Sequence, residues 1–244
     1  EPVVFDVDSL GRPSALTVGG VRFDRRPSAD ERPFRITPTM PESTLRRQAL
    51  SAVAPDATGY TKRADLVDLR QIESGLKFDI RYATQNNFLG LRFYEQAKAY
   101  LQRPAAEALA RAHRRLADDG YGIVVFDGYR PWSVTKMFWD ATPELYRDFI
   151  ADPAKGSRHN RGCAVDIGLY DLKSGESVPM PSGYDEFTPR AFPHYPGGTE
   201  LQRYRRDLLR TVMADEGFTV YEKEWWHFDF QDWQRYPILN VPIR

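Results

Sequence analysis

CAVDIGLY, residues 163–170, is the stretch that decides the architecture. It alternates with a period of two, the repeat of a β-strand whose side chains point to opposite faces of a sheet. Cys163, Val165, Ile167 and Leu169 form an apolar face, which reads as core, while Ala164, Asp166, Gly168 and Tyr170 form a small, polar face with one carboxylate. A carboxylate on so apolar a strand is costly to bury without a partner. The strand therefore raises the question of what Asp166 meets.

The flanking segments supply the rest of the fold. Residues 121–126 (YGIVVF) form a continuous apolar run, the pattern of a strand covered on both faces. Residues 104–119 predict a helix: Pro104 suits the first turn, Gly120 the position past the end, and Ala105, Leu109, Ala112 and Leu116 share a face. Residues 131–150 read as helical with a break at Pro143, and residues 65–82 as two short strands about a turn at Ser74-Gly75. Residues 171–198, rich in Pro, Gly and Ser, are long enough to be a functional loop or lid. Thr199-x-x-Gln202 is a capping-box signal for a helix over 200–216, with Tyr204, Leu208 and Val212 in one stripe, and strands follow at 218–221 and 225–230. Interleaved helices and strands of this kind predict an α+β fold: a mostly antiparallel central sheet with helices packed on it.

Composition removes several classes of function. Lys+Arg and Asp+Glu both number 34, so the net charge is zero, and no basic run would track a nucleic-acid backbone. No apolar run approaches the ~20 residues that span a bilayer. The single cysteine, Cys163, excludes an internal disulfide and any Cys-rich zinc finger, and its place on the core face predicts an inert thiol. Nothing in the sequence fixes an oligomeric state. The chain opens on Glu1 rather than Met, which fits removal of an upstream segment on export; a periplasmic or secreted location is the expectation, with a cytoplasmic one as the alternative. Residues 1–62 show a hairpin signal at Gly19-Gly20 and a short helical pattern over 42–52. They read as an extension that wraps or precedes a domain over 63–244, or as a partly disordered leader.

Two further stretches carry chemistry: SRHNRGCAVD at 157–166 and EWWH at 224–227. Together they offer two imidazoles and two carboxylates. A catalytic zinc takes three protein ligands and keeps a fourth position for water. His159, Asp166 and His227 suit that ion, one per chain, and their summed charge of about −1 leaves the site cationic, which favours ionising a bound water. A lone His or Asp on a strand is more often a packing or salt-bridge group; the coincidence of all three favours the metal. In the last strand Trp226, Phe228 and Phe230 face one way, and Trp225, His227 and Asp229 the other. Glu224 would face away from His227 in a flat strand, so it reaches the metal only from a turn just before the strand. There it would serve as general base and then acid. Arg130, in DGYRP at 127–131, sits at a strand end and suits an oxyanion-stabilising role, or pins a loop through backbone carbonyls. His113, beside Arg111, Arg114 and Arg115, reads as solvated helix surface, and His194 as loop surface.

These motifs, with Asp79-Ile-Arg-Tyr82-Ala-Thr and Asn87-Phe88, occur in one order over roughly residues 65–240. In that order they resemble the D-alanyl-D-alanine dipeptidases of the zinc D-Ala-D-Ala peptidase family. The resemblance implies zinc on His159, Asp166 and His227, Glu224 as base, and Arg130 on the tetrahedral intermediate. It also implies that Tyr82 and Ser157 line a small pocket and that Asp185 lies near the substrate's amino group. The implied partner is a small D-amino-acid dipeptide, hydrolysed to two D-Ala. Two alternatives stay open: a D,D- or L,D-carboxypeptidase trimming murein stem peptides, and a zinc-bearing binding module without turnover. Glu224 and Arg130 speak against the latter, since a structural zinc needs neither.

Overall fold

The computed structural model describes residues 3–7, 13–24, 34–55 and 59–243. The remaining parts of the 1–62 stretch, and with them the disordered-leader alternative, lie outside the described residues.

Three strands, β1 (Val3–Val7), β2 (Pro13–Val18) and β3 (Val21–Asp24), form an antiparallel meander, with Gly19 and Gly20 at positive φ in the β2–β3 turn. Helix α1 (Glu42–Ser51) follows and buries Leu45 and Ala49, packing on α4 (Trp132–Ala141). Backbone hydrogen bonds from Ile36 to Phe88 and from Thr39 to Ala141 tie the segment before α1 to the rest.

The 65–82 stretch holds β4 (Leu66–Asp68), the short helix α2 (Leu69–Ile72) and β5 (Lys77–Phe78). The two short strands flank the turn at Ser74-Gly75, as the sequence suggested, but they join different sheets. β4 pairs with β6 (Tyr100–Gln102) in a separate two-stranded sheet, whereas β5 joins the main sheet. Strands this short take whichever partner tertiary packing offers.

The main sheet has the order β5-β7-β8-β10-β9, with β7 (Tyr121–Asp127), β8 (Ala164–Asp171), β9 (Phe218–Tyr221) and β10 (Glu224–Phe230). Only β5–β7 is parallel; the other three pairings are antiparallel. Helix α3 (Arg103–Leu116) packs on β7, and α5 (Glu200–Asp215) packs on β9, β10 and α3. Ile123, Val125, Val165, Ile167 and Leu169, each no more than 1% exposed, form the sheet's core face. Four alanines of α3, Ala105, Ala106, Ala108 and Ala112, are fully buried, and side chains this small let a helix lie close. The Thr199–Gln202 capping box opens α5 with both reciprocal bonds formed.

Two sequence readings change. His113 is buried, and its Nδ1 accepts the Ile123 N–H at 3.1 Å. It lies four residues after Leu109 and so joins the buried stripe, whereas the arginines beside it in sequence point about 100° or more around the helix. On α5 the buried side chains are Arg206, Leu209, Val212 and Met213, while Tyr204 is 51% exposed, so the inward stripe is rotated from the expected one. His194 is exposed, and Cys163 is fully buried with its thiol pushed up to about 12 by burial, both as expected. Among the described residues no helix is long and apolar enough to cross a membrane.

Candidate metal centre and active site

A row of side chains crosses the three central strands on the face away from α3. Asp127 on β7 pairs in register with Asp166 on β8, which pairs with His227 on β10. His159 comes from the turn just before β8. Gly162 ends that turn at φ +65, a backbone conformation that favours glycine, and a Cβ there would also crowd Leu66 Cδ2 at 2.4 Å. Asn160, fully buried, ties this turn to the one after β7: its Nδ2 donates to the Arg130 carbonyl at 2.9 Å and to Thr135 Oγ1 at 2.8 Å. In return the Arg130 N–H donates to the His159 carbonyl at 3.1 Å.

The donor atoms converge. His159 Nε2 lies 3.1 Å from His227 Nδ1, and Asp166 Oδ1 lies 3.3 Å and 3.1 Å from them. The outer nitrogens fix the tautomers. His159 Nδ1 sits 2.6 Å from the Gly128 carbonyl, which can only accept, so that nitrogen carries a proton and Nε2 a lone pair. His227 Nε2 sits 2.9 Å from Asp229 Oδ1 and donates there in the same way, leaving Nδ1 as a lone pair. Gly128 is itself held close: a Cβ there would lie 2.7 Å from the Tyr100 carbonyl.

Three acceptors therefore face one point, and Asp166 Oδ1 is buried with no hydrogen-bond partner. Such a triangle is repulsive unless a cation or a proton fills it. Burial opposes charge on His227, yet Asp229 and Asp166 overcome it and raise the imidazole to about 10. Burial likewise acts to raise Asp166, and His159 and His227 hold it far below the ordinary carboxylate range. The pocket draws positive charge. Zinc ligands at about 2.0–2.1 Å in a tetrahedral set stand ~3.3 Å apart, so the triangle's sides fit that ion.

Glu224 is the first residue of β10, directly after the 222–223 turn. A register shift between Glu224 and Phe228 breaks strict alternation there and brings Glu224 Oε2 to 3.7 Å from His227 Nδ1. Glu224 thus approaches as the strand's first residue, through this irregularity, and not from a turn ahead of the strand as the sequence reading expected. Burial, only partly offset by His227, lifts the Glu224 carboxyl to about 7.

Arg130 is buried, and its Nε and Nη2 both lie 2.9 Å from Asp127 Oδ2. Its guanidinium also lies over the rings of Phe138 and Tyr82, at 4.8 Å and 5.2 Å. Asp127, whose other oxygen accepts from Tyr94 at 2.8 Å, thus aims Arg130 into the site. Tyr82 donates to Asp185, 2.9 Å from Oδ2 and 3.1 Å from Oδ1. Asp185 adopts φ +57, unusual for a residue with a side chain, and burial raises its carboxyl well above the ordinary range. Ser157 Oγ accepts the His159 N–H at 3.2 Å. A cavity of about 100 Å³ is lined by all eight residues named from sequence: His159, Asp166, His227, Glu224, Arg130, Tyr82, Ser157 and Asp185.

Sequence reading missed Asp127, Asn160 and Tyr184. Asp127 stood inside the DGYRP motif and signalled itself as Arg130's neighbour three residues back. Tyr184 lies in the long loop, where no periodicity predicts a side chain's direction.

The sequence matches the peptidase M15 family, D-Ala-D-Ala dipeptidase, over residues 62–242. Curated relatives include the D-alanyl-D-alanine dipeptidase of Escherichia coli (strain K12), 34% identical over 72% of this chain and 89% of that one. The D-alanyl-D-alanine dipeptidase of Enterococcus faecium is 35% identical over 72% of this chain and 96% of its own length. That of Streptomyces coelicolor (strain ATCC BAA-471 / A3(2) / M145) is 31% identical over 69% and 92%. The solved LdcB LD-carboxypeptidase shares 18% identity at a TM-score of 0.42, covering 72% of each chain, too slight a likeness to bear on activity. With its metal-ready triad, matched motifs and matched length, the chain belongs to the M15 family of D-Ala-D-Ala dipeptidase metallopeptidases.

Proposed function

We propose that this protein hydrolyses D-Ala-D-Ala to two D-Ala, with one zinc ion held by His159, Asp166 and His227. Zinc bound there supplies a Lewis acid that polarises the scissile carbonyl and lowers the pKa of water. Glu224 takes the proton of the attacking water and delivers it to the leaving amine. A carboxyl lifted to about 7 suits both halves of that task, since it gives up and accepts a proton with nearly equal ease at neutral pH. Arg130, held charged by Asp127, meets the oxyanion. Asp185 receives the substrate's free ammonium, with Tyr82 holding its carboxylate in place. Ser157 braces the His159 turn.

The observation that carries the dipeptide reading is the buried Asp185 in the wall of so small a cavity. A buried carboxylate of raised pKa favours a cationic partner, and an N-acylated or longer peptide would bring a neutral amide instead. The test is a panel of D-Ala-D-Ala, its N-acetyl form and a murein pentapeptide, each with and without chelator. Release of D-Ala from the free dipeptide alone, abolished by chelator, is expected. Comparable cleavage of the acylated or long substrates would instead make this a carboxypeptidase, and inertness toward all three with zinc bound would make it a binding module.

A further inference from the structure

Asp166 has two oxygens in two different environments. Oδ1 faces the imidazoles with no donor of its own, whereas Oδ2 accepts the Tyr184 O–H at 3.0 Å. The Arg130 guanidinium, at 3.6 Å from Oδ2, stands beyond hydrogen-bond reach. Tyr184 is firmly seated: its ring stacks on Phe126 at 4.7 Å and meets the edge of Trp226 at 5.6 Å. The phenol oxygen also lies 3.1 Å from the Tyr82 oxygen, whose proton goes to Asp185.

We infer that Tyr184 is a positioning residue for the metal centre: by occupying Oδ2 it presents Asp166 through Oδ1 alone. This rests on the reading of the triad as a zinc site. A carboxylate free at both oxygens can rotate about its Cβ–Cγ bond, and it can bring both oxygens to a cation. One fixed donor on the outer oxygen removes that freedom before the ion arrives. Hydrogen-bonded partners of this kind typically change metal affinity by about 10–100-fold when removed. Tyr82, on the other side of the phenol, competes for the same proton, so it should not help the metal bind.

The experiment compares wild type, Tyr184→Phe and Tyr82→Phe. Zinc affinity is measured by chelator competition, and the visible spectrum is recorded for each protein loaded with Co²⁺ alone. Phenylalanine keeps the ring packing, and the apo thermal midpoint of each variant reports its fold. Tyr184→Phe is expected to bind zinc about 10–100-fold more weakly. Its Co²⁺ bands should weaken, as they do when a tetrahedral ion gains a further donor, while Tyr82→Phe matches wild type in both readouts. Wild-type zinc affinity and an unchanged Co²⁺ spectrum in Tyr184→Phe would overturn the inference and leave the zinc site standing. A wild type that takes up no zinc would overturn both. Equal losses in the two variants would overturn the specific role of Tyr184 in favour of general packing.

Discussion

Glu224 shows how one carboxylate's environment sets its chemistry. Burial raises it to about 7, and a dication beside it would pull it down again toward the ordinary carboxylate range. The base must be ionised to accept water's proton. The dipeptidase rate should therefore fall as pH drops toward that range, with a slope of one proton. Glu224→Gln, which cannot accept the proton, is expected to retain zinc and lose roughly 10²–10⁴-fold in rate, as read by single-turnover assay and metal analysis. Loss of metal and activity together would mean that Glu224 is a ligand instead. The three proposed ligands were readable because strand alternation fixed the side of Asp166 and of His227, and the structure puts them opposite each other in register. Tyr184 was not readable, because a loop's path depends on what it lands on. His113 was misread by attending to neighbours in sequence rather than to the helical repeat.

Among the elements, α3 and β7 are joined by more than apolar packing. The His113 imidazole accepts a strand N–H and must be neutral at Nδ1 to do so. Burial lowers its pKa below the ordinary 6.5, with Glu73 pulling upward against it. A histidine whose folded pKa is depressed contributes stability above its unfolded pKa and loses it as pH falls toward the folded one. The wild type should thus lose stability between pH 7.5 and 5.5 relative to His113→Gln, as measured by urea unfolding of the zinc-loaded proteins. Identical pH slopes would show that His113 does not titrate with folding. Capped and punctuated helices such as α3 and α5 were legible because Pro104, Gly120 and the Thr199 box act locally. The pairing of β4 with β6, and the bulge that turns Glu224 inward, depend on tertiary contacts and left no local mark.

At the scale of the molecule, the fold brings together candidate ligands separated by 68 residues in sequence. We propose that residues 63–244 form the catalytic unit and residues 1–62 an extension, supported by a family match that begins at Lys62. The two parts of the extension should behave differently. Removing residues 1–33 is expected to leave hydrolysis and thermal midpoint unchanged. Removing residues 1–59 takes Leu45 and Ala49 from their buried places at α4 and should lower the midpoint by several degrees in calorimetry. An unchanged midpoint after the longer deletion would show that α1 contributes nothing to the domain. The most direct measurement of the central claim is anomalous diffraction at the zinc edge from crystals grown with one equivalent of the ion. A single peak bounded by His159 Nε2, Asp166 Oδ1 and His227 Nδ1 is predicted; a map empty there, or a peak held by other side chains, would contradict the account.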